Sequence, residues 1–325
     1  MNTTGRFFRV TIFGESHGDG IGAVIDGVTP GLQLSEADFT GDLARRKAGA
    51  AGTTPRCEAD TPRIVSGVFE GRTTGAPLTV LFTNENTRSA DYERLKAVPR
   101  PGHADYPAAI KFKGFNDIRG GGHFSGRLTL AVVAAGVVAK KMLPDDIKIE
   151  ARIAELGGSP DESAWKDLIA RASAEGDSLG AIVGCRISGA PAGLGEPFWD
   201  SAESLLSHAL FSIPGVRGVE FGDGFAAAAM KGSAHNDPIG PDGPVSCHAG
   251  GINGGITNGG DILFRVAFKP TSSIRKPQRT LDTSTGAMTD LSVPGRHDTC
   301  FALRAPVVVE AAAAIVLADL MKTSN

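Results

Sequence analysis

Several short stretches of the chain set proton-transferring side chains beside anion-holding ones. Gly14-Glu15-Ser16-His17-Gly18 contains a literal GxSxG, the pattern of a serine nucleophile elbow, which works only as strand, sharp turn and helix. One apolar run, residues 7–13, precedes it. The following residues 19–28 are glycine-rich with Val/Ile alternation, which predicts turn and second strand rather than helix. The hydrolase reading therefore fails, and His17 carries more weight than Ser16. An imidazole between glycines, with a reference pKa near ~6.5, can hold a proton for a departing phosphate. His103, in the stretch Arg100-Pro101-Gly102-His103-Ala104-Asp105, likewise stands beside proline, glycine and charge. Isolated loop histidines are more often plain surface residues, so the two gain meaning from their surroundings.

Those surroundings favour anions. Residues 117–129, DIRGGGHFSGRLT, form a glycine loop that enters a helix, flanked by Arg119, His123 and Arg127. The spacing approaches a phosphate-binding loop but lacks its Lys-Ser/Thr pair, so magnesium-nucleotide binding is not supported. Free N–H groups and a helix N-terminus still attract a phosphate. The plain alternative is a tight turn between core elements. Residues 246–273 pair Gly250-Gly251 and Gly254-Gly255, able to lie flat on a planar ligand, with Lys269, Pro270, Thr271, Ser272 and Ser273 after a strand. FMN or a sugar phosphate suits both features. Arg296-His297-Asp298 lies just before the final helix, and such a triplet alone is usually a solvated turn.

The elements that must position these groups follow from periodicity and punctuation. Strands are predicted over 7–13, 22–28, 63–70, 78–83, 147–155, 181–188, 216–221 and 262–268, and helices over 35–46, 128–142, 162–174, 202–211 and 306–321. This is a mixed α/β (α+β) pattern. Gly27, Gly31 and Leu32 find counterparts in Gly189, Gly193 and Leu194, each set followed by a helix-like segment, and Arg127 and Arg304 each open an apolar helix. The reading is an internal pseudo-repeat within one domain, 1–325. With 41% hydrophobic residues and a net charge of -3, the chain reads as globular, with no nucleic acid or membrane partner. Four scattered cysteines without zinc spacing, and no signal peptide, predict a cytoplasmic protein without a metal site.

Taken in order, GESHG, RPGHAD, RGGG, HAGGIxGGI, KPTSS and RHDxC resemble the chorismate synthase family, as do SGVFEGRTTGAP, GDSLGAIV, PAGLGEP and VEFGDGF. The resemblance covers nearly the whole chain. It implies anti 1,4-elimination of phosphate from 5-enolpyruvylshikimate 3-phosphate to give chorismate, the final step of the shikimate pathway, with reduced FMN and no net redox change. It implies that His17 protonates the leaving phosphate, that His103 supplies a proton near flavin N1, and that Asp298 lies beside flavin N5. Ser16 becomes a hydrogen-bonding wall residue. Flavin contacts are implied at His123, Phe124, Ser125, Pro214, Gly215, Gly254, Lys269, Pro270, Thr271, Ser272, Ser273 and Arg296. Arg46, Arg119 and Arg127 are implied for the anionic substrate. The implied fold is a β-α-β sandwich of antiparallel sheets enclosing long helices, assembled as a homotetramer.

The chain departs from the family pattern in four places. RSSARET becomes His123-Phe124-Ser125-Gly126-Arg127-Leu128-Thr129, an arginine near Gly52 is missing, an Asn-Ala pair becomes Pro214-Gly215, and the region 157–176 is short. His123 in place of an arginine is expected to strengthen anion binding when protonated, unless it points away and fills the turn. Some family members reduce their own flavin with NADPH. This compact chain, without a GxGxxG between strand and helix, is expected to depend on a separate flavin reductase. The competing class of function, a flavin- or phosphate-binding carrier, needs no acid such as His17.

Overall fold

Alternating buried residues build the first sheet of the computed structural model, which describes residues 2–49, 52–53, 58–85, 93–295 and 297–323. Its strands are β1 (Thr3–Thr4), β2 (Arg9–Gly14), β3 (Gly20–Asp26), β4 (Arg63–Ser66) and β7 (Leu78–Thr83), in the order β1-β2-β3-β7-β4 with every pair antiparallel. The short hairpin β5 (Val68–Phe69) and β6 (Arg72–Thr73) lies between β4 and β7 in sequence. Ile21, Ala23 and Ile25 stand opposite Phe82, Val80 and Leu78, and all six are buried. The period of two puts one face of each strand on the core.

A second antiparallel sheet contains β8 (Lys148–Leu156), β9 (Ala181–Ser188), β10 (Val216–Phe221) and β15 (Ile262–Phe268), in the order β10-β15-β9-β8. Here the buried pairs include Cys185 with Phe264 and Val183 with Val266. Between β10 and β15 lie the two-residue hairpins β11–β12 (Ile239–Gly240, Gly243–Pro244) and β13–β14 (Ile252–Asn253, Ile256–Thr257). After β15 comes the hairpin β16–β17 (Gln278–Asp282, Ala287–Leu291).

The helices are α1 (Thr40–Arg46), α2 (Glu93–Ala97), α3 (Asp105–Lys111), α4 (Thr129–Met142), α5 (Glu162–Ala174), α6 (Ala202–Phe211), α7 (Gly232–His235) and α8 (Pro306–Thr323). Two of these, α4 and α8, are apolar nearly all round, as a helix buried on every side must be. α4 packs on β3, α8 packs on β8 and β9, and the two helices pack on each other. Their contact is close enough that a Cβ on Gly136 would stand 2.3 Å from Cβ of Ala311. Among the described residues, no helix is long and apolar enough to cross a membrane.

α8 also carries two buried acids. Glu310 accepts from Arg45 through both guanidinium nitrogens at 2.7 Å, from Lys140 at 3.1 Å and from the Ala151 N–H at 3.0 Å. Asp319 accepts the N–H groups of Arg6, Phe7 and Phe8 at 2.7–3.0 Å.

That second contact explains one difference from expectation. The strand predicted over 7–13 begins only at Arg9, because the N–H groups of Phe7 and Phe8 belong to Asp319. The strand predicted over 63–70 is split at Gly67, whose φ of +87° and close approach to the Leu78 backbone suit glycine. The helix predicted over 35–46 starts as a 3-10 turn capped by Ser35 and Asp38 before α1. Several shorter elements lie where none is predicted, α3 and the hairpin β16–β17 among them.

Candidate active site

The turn between β2 and β3 presents Ser16 and His17, both buried. Asn84, at the end of β7, donates to the carbonyls of Glu15 and Gly18 at 3.0 and 2.8 Å and so fixes the turn. The glycine run then closes over it. Ser16 N–H donates to the Gly122 carbonyl at 3.1 Å, and a Cβ on Gly120 would stand 2.5 Å from Cδ2 and 2.7 Å from Nε2 of His17. The next residue, Gly121, faces the other histidine: its Cβ would stand 3.5 Å from Nε2 of His103. Both glycines have left-handed φ, +61° and +82°. One backbone run thus lies against the Nε2 edge of both imidazoles, and a side chain at Gly120 would occupy the space His17 needs.

His103 is held from behind. Its Nδ1 lies 2.6 Å from Oδ1 of Asp105, in the first turn of α3. Arg100 grips the same carboxylate through Nε at 2.7 Å and Nη2 at 2.8 Å, and donates to the Ser273 hydroxyl at 3.0 Å. Burial raises the Asp105 pKa, but the Arg100 and His103 hydrogen bonds outweigh it and hold the carboxyl well below the ordinary range.

The KPTSS segment flanks this loop. Lys269 donates to the Gly102 carbonyl at 2.7 Å and to the Ser272 hydroxyl, which donates to the same carbonyl at 2.8 Å. Burial, with Arg217 and Arg100 close by, lowers the Lys269 pKa. The Thr271 hydroxyl is buried with no hydrogen-bond partner among the described residues. Gly215, beside Pro214, accepts from the Lys269 N–H at 2.9 Å and abuts the ring of Phe301. An ammonium, hydroxyls and an orphaned buried hydroxyl fit the phosphate of FMN.

A third cluster gathers guanidinium groups. Arg46 is buried, donating to Thr129 at 3.0 Å and to the Gly126 carbonyl at 3.1 Å, with Asp60 at 3.6 Å. Arg127 donates to Asn84 at 2.7 Å and to Asp60 at 2.9 Å, and Glu58 lies 3.6 Å away. Arg304 donates to Asp298. Burial, then the Arg304 charge, pushes Arg46 down to about 9, with Arg127 adding to this and Asp60 and Asp298 opposing it. Added negative charge would relieve that repulsion, so the cluster suits an anion. Asn84 ties this cluster to the His17 turn.

Other expected site residues lie outside these contacts. Arg119 is half-exposed and doubly bonded to Asp117 at 2.9 and 2.7 Å. That bond holds the Asp117 carboxyl below its ordinary value, and His17 contributes to the same shift. His123 turns its ring to the N-terminal strands, Nδ1 at 2.8 Å from the Gly14 carbonyl and Nε2 at 3.2 Å from the Asn2 side chain. The orientation is the turn-filling one. Phe124 is exposed beside Phe112, and the Ser125 hydroxyl accepts from Arg127 N–H. Gly254 sits in the β13–β14 turn facing open space. Gly250 and Gly251 are explained differently from expectation: a Cβ on either would meet the backbone of residues 221–222 or 261–263, so they serve close packing of the protein's own backbone. Arg296 lies outside the described residues.

Asn84, Glu58, Asp60, Arg100, Asp105 and Arg304 complete the arrangement and were not singled out from sequence. Arg100 and Asp105 had a signal, since they bracket His103 in one motif, and Arg304 had one as the counterpart of Arg127. Two imidazoles on a shared backbone edge, next to buried guanidinium groups, can give and take protons beside a bound anion.

A family model for chorismate synthase matches residues 8–322. A chorismate synthase from Chitinophaga pinensis is 58% identical, covering 99% of this chain and 96% of that protein. One from Dehalococcoides mccartyi is 45% identical, covering 98% and 96%. A crystal structure of chorismate synthase superposes with a TM-score of 0.75 at 29% identity, covering 99% of this chain and 93% of the other. The chain belongs to the chorismate synthase family, a family of enzymes.

Proposed function

We propose that the chain converts 5-enolpyruvylshikimate 3-phosphate to chorismate and phosphate by anti 1,4-elimination, using reduced FMN without net redox change. The reading rests on family membership and on one arrangement, His17 and His103 against the adjacent glycines Gly120 and Gly121. His17 protonates the phosphate as it leaves C3. His103 would manage a proton near N1 of a bound flavin, and Asp298 would serve its N5 side. Arg46, Arg119 and Arg127 take the phosphate and carboxylate of the substrate, with the buried pair Arg46 and Arg127 excluding water from them. Lys269, Thr271, Ser272 and Ser273 hold the flavin phosphate. A reduced flavin held by these residues would supply electron density for the departing phosphate and an acceptor for the C6 hydrogen, which is too weakly acidic for a simple base.

The fold supports a wider reading in the same terms. Each half supplies an antiparallel sheet and a long helix opened by a 3-10 turn with an arginine, Arg127 before α4 and Arg304 before α8. We read this as a β-α-β sandwich with a pseudo-repeat in one domain, 1–325, whose buried core runs from Phe8 to Leu320. It acts as a homotetramer in the cytoplasm. The test is anaerobic addition of photoreduced FMN and substrate to the purified protein. Growth of chorismate absorbance is expected, and its absence with correctly folded protein contradicts the proposal.

A further inference from the structure

We infer that Asp105 is the positioning residue of His103: it holds the proton on Nδ1 and leaves Nε2 as the nitrogen that exchanges protons at the Gly120–Gly122 edge. The inference rests on the proposed role of His103 and adds to it the group that sets the tautomer.

Two contacts compete for Nδ1. Asp105 Oδ1 lies 2.6 Å away and Arg100 Nη2 lies 3.1 Å away. A guanidinium can only donate, so a bond from Arg100 would require an unprotonated Nδ1, whereas a carboxylate can only accept and requires Nδ1–H. Asp105 has the shorter contact, and Arg100 Nη2 already donates to Oδ1 of Asp105 at 2.8 Å. The proton therefore sits on Nδ1. Asp105 is itself locked as an acceptor: Oδ2 takes the backbone N–H and Nε of Arg100 at 3.1 and 2.7 Å, and Oδ1 takes Nη2 and His103. Its side chain and that of Arg100 are only 7% and 6% exposed. A buried pair with this geometry fixes the ring orientation as well as the tautomer.

The consequence is a proton transfer that needs no tautomer exchange. Imidazolium His103 gives up the proton on Nε2 and remains as neutral imidazole with Nδ1–H on Asp105. Reprotonation at Nε2 restores it.

Asp105→Asn reverses the instruction. Its single oxygen is drawn to the Oδ2 position, where two Arg100 donors converge, rather than to the Oδ1 position, which receives only Nη2 from Arg100, and this puts the NH2 at the Oδ1 position facing Nδ1. The ring must then accept there and carry its proton on Nε2, the wrong tautomer for receiving one.

The test is the 15N spectrum of neutral His103 in histidine-labelled protein, assigned by its loss in His103→Gln. The wild type is expected to be protonated at Nδ1, and Asp105→Asn to shift toward Nε2–H. Turnover in Asp105→Asn should fall about 100- to 10,000-fold, with KM for the substrate changed less than about threefold. In a His103→Ala background the same substitution should cost no more than about twofold. An Nε2–H wild type overturns the inference, and does so even if Asp105→Asn fails to fold. So does retention of Nδ1–H in Asp105→Asn, or independent losses in the double variant, which would make Asp105 merely structural. If the wild type makes no chorismate, the functional reading falls while the spectrum still decides the tautomer.

Discussion

At the scale of single residues, the account depends on contacts with no room for a methyl group. Gly120→Ala adds a carbon within 2.7 Å of His17 Nε2 and of the Ser16 hydroxyl. It should displace the imidazole and lower turnover at least about 100-fold, the range for losing a positioned proton donor, with circular dichroism unchanged. Steady-state kinetics at wild-type flavin and substrate concentrations check this, and unaltered turnover would remove His17 from its assigned position. The two histidines were legible in sequence because each stands beside glycine, His17 before Gly18 and His103 after Pro101-Gly102. Their supports were less legible: Asn84 and Asp60 reach Arg127 from distant segments, and nothing in a linear pattern marks such convergence. His123 shows the opposite limit, since its type suggested anion binding but its ring is committed to Gly14 and Asn2.

Among the elements, α8 is decisive because its two acids fasten other parts of the chain to it. Glu310 joins α1, α4 and β8. Burial pushes its pKa up, but Arg45, Lys140 and the Ala151 N–H pull it further down, below the reference of 4.5. A depressed folded pKa means stabilisation that is present above the unfolded value and lost as pH falls through the folded one. Glu310→Gln should therefore lower stability by about 1.5–3 kcal/mol near neutral pH, and the gap in Tm should narrow as pH falls below the reference of 4.5 and through the depressed folded value. A gap independent of pH would mean the charge is irrelevant. Asp319→Ala strands the N–H groups of Arg6, Phe7 and Phe8, and should cost about 2 kcal/mol or more. Hydrogen exchange at those amides should accelerate more than exchange in β3, and a uniform change would contradict the local assignment. Periodicity was a good guide to most strands and to α5 and α6, whose bounds match expectation. It failed at Phe7 and Phe8, where a side chain from the far end of the chain takes the backbone N–H groups, and at α3, which starts inside a motif that reads as a turn.

For the whole molecule, both sheets and both long helices share one buried core, and the histidine edge lies where loops from both halves converge: the glycine run before α4, RPGHAD, and KPTSS after β15. That convergence explains why the motifs stand far apart in sequence. The proposed need for an outside reductase predicts no chorismate from purified protein with NADPH and oxidised FMN in air, and production once a flavin reductase is added. Robust formation without the reductase would refute it. Proton chemistry by His17 and His103 in chorismate formation is checked by anaerobic turnover with photoreduced FMN in wild type, His17→Ala and His103→Ala. Wild type is expected to release chorismate and phosphate in equal amounts, and each variant, with its fold intact, to turn over about 100- to 10,000-fold more slowly. Near wild-type turnover in either folded variant would contradict the account.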